Sequence, residues 1–131
     1  MQSQRQKQLV LILAREFVSN LSTPTLIADA SGCLVFYNEA AEAVLGKRFP
    51  EVGEVPLDDW LTEFAPRTTT GEPLPREQRP THIALADRRA SHLRYLVTSA
   101  DGVERGIHVT SFPLFAHMDE FVGVVALFWR D

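Results

Sequence analysis

The stretch ADASGCLVFYNEAAEAVLG, residues 28–46, changes the direction of the chain three times. Ala30-Ser31-Gly32 is a turn signal, and the runs on either side of it, TLIADA and CLVFYN, have the apolar and β-branched character of short strands. Alternation sends Leu34 and Phe36 to one face of the second strand and Val35 and Tyr37 to the other. Asn38 then stands where a helix N-cap belongs. Glu39 occupies the first turn, where a carboxylate is favoured, and Gly46 can take the left-handed conformation that ends a helix. Ala40, Ala41, Val44 and Leu45 form the apolar side between them. The segment reads as strand, turn, strand, helix.

Upstream, QRQKQLVLILAREFVSNL (4–21) has no Gly or Pro and predicts a helix. Val10, Leu13, Ala14, Phe17 and Leu21 recur at helical spacing. Leu9, Leu11, Ile12 and Val18 widen that stripe beyond the need of a simple surface helix. Two readings follow: the helix touches two surfaces at once, or it fills one deep groove in its own domain. Its apolar run, LVLILA, is far shorter than the roughly 20 residues that span a bilayer. No small-residue cleavage site follows it, so a helix without membrane insertion is expected.

Downstream, residues 47–76 are broken by prolines and glycines around one helical patch, LDDWLTEF. Asp58 and Asp59 fall in its first turn, where acids act as caps, and adjacent carboxylates on a helix point apart. PREQRPTHIALADRR (75–89) predicts a helix with Pro80 near its first turn. SHLRYLVTS and VERGIHVTSFPLF are strands joined through the hairpin signal Asp101-Gly102. The last strand, FVGVVALFWR, is apolar on both faces, with Val122, Val124, Ala126 and Phe128 on one and Phe121, Val125, Leu127 and Trp129 on the other. An antiparallel sheet ordinarily leaves one face wet. The N-terminal helix is therefore expected to cover the second face.

Composition sets the class. With 131 residues, 45% of them hydrophobic, the chain is one folded domain. A net charge of −4 gives no electrostatic footprint for a phosphate backbone, so no direct nucleic-acid partner is expected. The single cysteine, Cys33, forms no intrachain disulfide and suits the cytoplasm.

Four fragments together resemble a PAS domain, the sensory module of signalling proteins. Asp29-Ala30-Ser31-Gly32 resembles its D-x-x-G turn, and Leu34 to Ala40 resembles its apolar strand running into N-x-A. GEPLPREQRPTHIALADRR resembles the segment along its long helix. FPLFAHMDEFVGVVALFWRD resembles its final hairpin, although the glycine common in that turn is missing. The resemblance covers residues 23–131, leaving 1–22 as an N-terminal amphipathic helix. It implies an α+β fold with a five-stranded antiparallel sheet, order 2-1-5-4-3, short helices enclosing a pocket on one face and the N-terminal helix on the other. It further implies a homodimer, through Leu9, Val10, Ile12, Leu13 and Phe17, and an effector partner such as a histidine kinase of a two-component system or a transcription regulator.

Ligand expectations follow from the same resemblance. Flavin photochemistry in this family requires a cysteine in an N-C-R motif on a central helix, whereas Cys33 begins a strand and reads as a small buried hydrophobe. The inner-face candidates are Phe36, Leu45, Ile83, Tyr95, Val97, Val109 and Ser111. A pocket of that character suits a fatty acid or another small hydrophobic molecule, and the same side chains can instead simply pack as core. Haem is the alternative cofactor, with His82 as axial ligand because it alone of the four histidines lies on the long helix. No pair of histidines or cysteines has metal-ligand spacing, so no protein-held metal is expected. A small enzyme with Asp29 or Asp58 as a buried acid is the remaining alternative to a non-catalytic module.

Overall fold

A computed structural model describes residues 2–49 and 54–131. The elements are α1 (Gln2–Ser19), β1 (Thr25–Asp29), β2 (Cys33–Tyr37), α2 (Glu39–Leu45), β3 (Val55–Pro56) and α3 (Leu57–Thr62). A 3-10 turn (Arg76–Gln78), α4 (Pro80–Ala86), β4 (Ser91–Thr98), β5 (Glu104–Phe115) and β6 (Phe121–Arg130) complete the chain. The strands form one antiparallel sheet of order β3-β2-β1-β6-β5-β4. Five of them reproduce the expected order. The sixth, β3, is a correction: two residues that pair with Cys33 and Leu34 on the outer edge of β2. Two residues carry no alternation to read, and an edge is where a proline without an N–H is tolerated.

Asn38 caps α2 as expected, accepting from Ala41 N at 3.0 Å, and Gly46 ends the helix at φ 76. Its amide does more. Asn38 is 1% exposed, and the same Oδ1 accepts from Thr25 N at 3.1 Å. Nδ2 donates to Val18 O at 3.1 Å and Thr23 O at 2.9 Å. One side chain thus joins the end of α1, the start of β1 and the start of α2.

Strand parity departs from simple alternation at two places. In the β1–β2 register Ile27 faces Phe36 and Ala28 faces Leu34, which leaves Val35 as an extra residue. Such a bulge shifts every side chain beyond it to the opposite face. Leu34 and Tyr37 therefore point inward together, and Phe36, expected on the inner face, lies on the outer one. On β6, Gly123 faces Leu114 while Phe121 faces Phe115, so Val122 is the extra residue. Phe121 then packs with Ala84 and Val124 beneath α4, not on the outer face.

The two faces hold two cores. Leu26, Leu34, Tyr37, Trp60, Tyr95, Val109 and Phe128 belong to the inner one. Val18, Ile27 and Val125 form the outer one, with Leu11, Ala14, Leu21, Phe36 and Leu127 around them. As the two-sided apolar pattern required, β6 is buried from Phe121 to Ala126 and again at Phe128, between the inner core and α1. The inward stripe of α1 is Leu11, Ala14 and Val18. Leu9, Ile12, Leu13 and Phe17 remain 54–67% exposed. At the centre of the sheet, a Cβ on Gly123 would lie 2.1 Å from Ala28 O, so β1 and β6 approach closely only because that residue is glycine.

The helix expected over 75–89 is divided. Pro80 disfavours helical geometry at the residue before it, and Arg79 is extended, with φ −74 and ψ 133. A 3-10 turn precedes that break, and α4 runs only from Pro80 to Ala86. Among the described residues no helix is long and apolar enough to cross a membrane.

Candidate functional site

The inner sheet face and helices α3 and α4 line a small, half-open cavity of about 30 Å³, enough for a water molecule or two. Leu26, Leu45, Leu61, Phe64, Val97, Ile107, Val109, Ala126 and Phe128 make most of its wall, with Trp60, Thr81 and Tyr95 as the residues carrying polar atoms. Leu45, Tyr95, Val97 and Val109 thus stand where the sequence placed them. Burial pushes the pKa of the Tyr95 phenol up from 10.0 to about 12, against a smaller opposing effect of the Arg79 charge.

The other expected wall residues lie elsewhere. Phe36 is carried to the outer face by the Val35 bulge, where Arg15 sits 4.6 Å over its ring. Ser111 is fully buried opposite Ala126, beyond the cavity wall. Ile83 is half-buried on α4 and does not reach the cavity. His82 faces Asp58, with Nδ1 3.4 Å from Oδ2, and takes no part in the wall. A haem, far larger than this cavity and needing an inward-facing imidazole, does not fit these residues.

Neither acid of the enzyme alternative lines the cavity. Asp29 accepts from Ser31 N and Cys33 N, each at 3.0 Å, and from Ser31 Oγ at 2.6 Å, which builds the turn. Asp58, expected as a cap, makes no capping bond; its carboxylate faces Arg76 and His82. Among the described residues no group of three or more His, Cys, Asp or Glu side chains could hold a metal ion.

Sequence reasoning passed over the polar atoms that matter most. Among the described residues, Trp60 Nε1, Thr81 Oγ1 and Arg79 Nε are buried without a hydrogen-bond partner. Arg79 is 7% exposed, and among the described residues its guanidinium donates through Nη1, to Asp58 O at 3.4 Å and Thr62 Oγ1 at 3.3 Å. The available signal was the dipeptide Arg79-Pro80, because the residue before a proline leaves the helical path and turns its side chain elsewhere.

On the other face, α1 and the sheet leave an apolar groove of about 420 Å³, lined by Val10, Leu13, Phe17, Phe112, Leu114 and Leu127 among others. Beyond it His92, His108 and Trp129 stack across three strands with centroids 5.6–5.9 Å apart. Asp131 accepts from His108 Nε2 at 3.0 Å and pairs with Arg94, which holds its carboxyl below the ordinary aspartate range.

No family model matches the sequence, and no curated protein matches it. Solved structures do match. The PAS domain of Bordetella pertussis BvgS is 16% identical with a TM-score of 0.64, over 92% of this chain and 84% of that one. The PAS domain of nitrogen regulation protein NR(II) from Vibrio parahaemolyticus is 17% identical with a TM-score of 0.60, over 91% and 98%. The LOV domain of the Erythrobacter litoralis EL346 blue-light activated histidine kinase is 18% identical with a TM-score of 0.67, over 85% and 97%. The chain has the PAS fold.

Proposed function

We propose that this chain is a sensory and dimerisation module of signal transduction, without catalytic activity of its own. Residues 23–131 form the sensing core, and residues 1–22 both cover the sheet and carry the dimer contact. The module acts in the cytoplasm and passes its state to an effector such as a histidine kinase or a transcription regulator. Three of the neighbours in fold support this class, being named as domains of BvgS, a nitrogen regulation protein and a blue-light activated histidine kinase.

The observation that carries the reading is the unpartnered side of α1. Leu9, Ile12, Leu13 and Phe17 are each more than half exposed, and beside them runs the apolar groove on the sheet. A contiguous apolar surface of this kind marks a contact site. A second copy of α1 laid along the first buries both stripes. A guest enters the same scheme from the inner side, as a small hydrophobic molecule in the cavity. It alters the dimer only by binding one arrangement of sheet and helix more tightly than another. A guest larger than a water molecule or two requires the helices over the cavity to move outward.

Sedimentation equilibrium of the full chain tests the dimer. The wild type sediments as a dimer at tens of micromolar, and Leu13→Glu with Phe17→Glu gives a folded monomer. A wild type that stays monomeric at several hundred micromolar overturns the reading.

A further inference from the structure

We propose that protons control the dimer face: His92 and His108 let a second copy pack over the outer sheet while their rings are neutral, and weaken that packing once the rings are charged. The inference rests on the dimer reading and adds its regulation.

Strand register carries the dimer surface into these rings. Outward residues of β5 and β6 stand opposite one another in rows: Phe112 with Val125, then Thr110 with Leu127, then His108 with Trp129. Phe112, Val125 and Leu127 line the apolar groove beside α1. The next row continues the floor of that groove, and Trp129 is 41% exposed there. His92 enters from β4, opposite Thr110. Its ring centroid lies 5.6 Å from that of His108 and 5.9 Å from that of Trp129, while His108 and Trp129 are 5.6 Å apart. The rings form a near-equilateral cluster, which presents a largely apolar platform while both imidazoles are neutral.

Acid changes the character of that platform. Imidazoles take up a proton between about pH 8 and pH 5. The charged groups facing the rings are Arg94 on β4, opposite His108, and Asp131 beyond β6. Asp131 accepts from Arg94 Nε at 2.9 Å and from His108 Nε2 at 3.0 Å, and it lies across Gly106, where a side chain would collide with it. Arg94 holds the Asp131 carboxyl below the ordinary aspartate range, so it stays ionised through that window. β5 contributes the neutral Thr110, whose Oγ1 is 2.7 Å from His92 Nδ1. Arg130 stands opposite the inward Ile107, and Arg15 of α1 lies over Phe36 on β2, two strands from β6.

With both rings neutral, Arg94 and Asp131 balance each other. Among the described residues Asp131 is the one carboxylate paired with either ring, so each added proton brings a positive charge that it must share with Arg94. In a single copy both rings are partly open to water, which screens those charges. A second copy removes that water, and covering a charge without a full partner costs far more than covering a neutral ring. The helix that the second copy lays on this face adds to the cost, since α1 carries Arg5, Lys7 and Arg15 against Glu16. Acid therefore favours the separated copies.

Sedimentation equilibrium of the full chain at pH 8 and pH 6 tests the proposal, with a His92→Gln, His108→Gln double variant beside the wild type. Each proton excluded from the dimer weakens it by up to about 10-fold per pH unit, so the wild type is expected to weaken at least about 10-fold between the two values and the double variant by less than about 2-fold. Acidification shrinks the net charge of −4, which by itself favours association, so overall charge does not mimic the expected loss. His82→Gln and His117→Gln keep the wild-type pH dependence. Should the double variant not fold, the exposed His92 carries the test alone, and His92→Gln must show a smaller loss than the wild type. A wild-type dimer of equal strength at both pH values overturns the proposal and leaves the dimer reading standing. Weakening that persists in full without the two rings overturns their assignment. A wild type that is monomeric already at pH 8 overturns the dimer reading and this regulation with it.

Discussion

Replacing Asn38 distinguishes a simple helix cap from a junction. A cap alone is worth about 1 kcal/mol when changed to alanine. Asn38 also satisfies the buried Thr25 N–H and two carbonyls, Val18 O and Thr23 O. Leaving a buried backbone group unpaired costs about 1–3 kcal/mol, with water able to relieve some of these groups as the chain relaxes. Asn38→Ala is therefore expected to cost about 3–4 kcal/mol in urea unfolding, well above the cap alone. Asn38→Asp keeps both acceptor contacts but turns a carboxylate oxygen toward the two carbonyls. The buried carboxyl is then easier to protonate in the folded state than in the unfolded one. A raised folded value means that the folded state holds its proton to higher pH, so the stability this proton confers is present at low pH and lost as pH rises. Relative to wild type at the same pH, Asn38→Asp is consequently worse at pH 7 than near pH 4. Amide hydrogen exchange over residues 5–21 is expected to quicken in both variants, because the end of α1 loses its tether. An Asn38→Ala cost near 1 kcal/mol with unchanged exchange in α1 would refute the junction.

Other consequences are open to measurement. Tyr95 keeps its proton to about pH 12 in the fold against 10.0 ordinarily, so stability falls by about 2–3 kcal/mol between those pH values; alkaline unfolding of Tyr95→Phe should lack that loss. Gly123→Ala drives a Cβ into Ala28 O and is expected to cost more than about 3 kcal/mol or prevent folding, as read by circular dichroism and urea melts. Phe36→Ala removes an outer-face contact, so it should cost about 2 kcal/mol in urea unfolding and loosen α1 in hydrogen exchange.

Legibility in the sequence follows the range of the interactions. The cap at Asn38, the helix end at Gly46 and the turn at Asp101-Gly102 involve neighbours a few residues away, and each did locally what its chemistry indicates. The two-sided burial of β6 was legible because a face's hydropathy survives any change of register. Phe36 and Phe121 were misplaced because an extra residue in a strand leaves no mark on composition, yet reverses the parity beyond it. The division at Pro80 was written in the sequence, since a proline constrains the residue before it as well as itself. Arg79 was missed for a different reason. Its Nε lacks a partner among the described residues, and a missing partner becomes visible only once every neighbour has a place.

The bulge at Val35 fixes how the chain tolerates changes in length. Loops normally absorb insertions and deletions, but here a strand carries one residue that its ladder does not need. Excising Val35 would leave Leu34 opposite Ala28 and Phe36 opposite Ile27 in a regular ladder, so both aromatic rings would keep their faces and Tyr37 its stack on Trp60. In this strand a lost codon at the bulge would do less harm than one on either side of it.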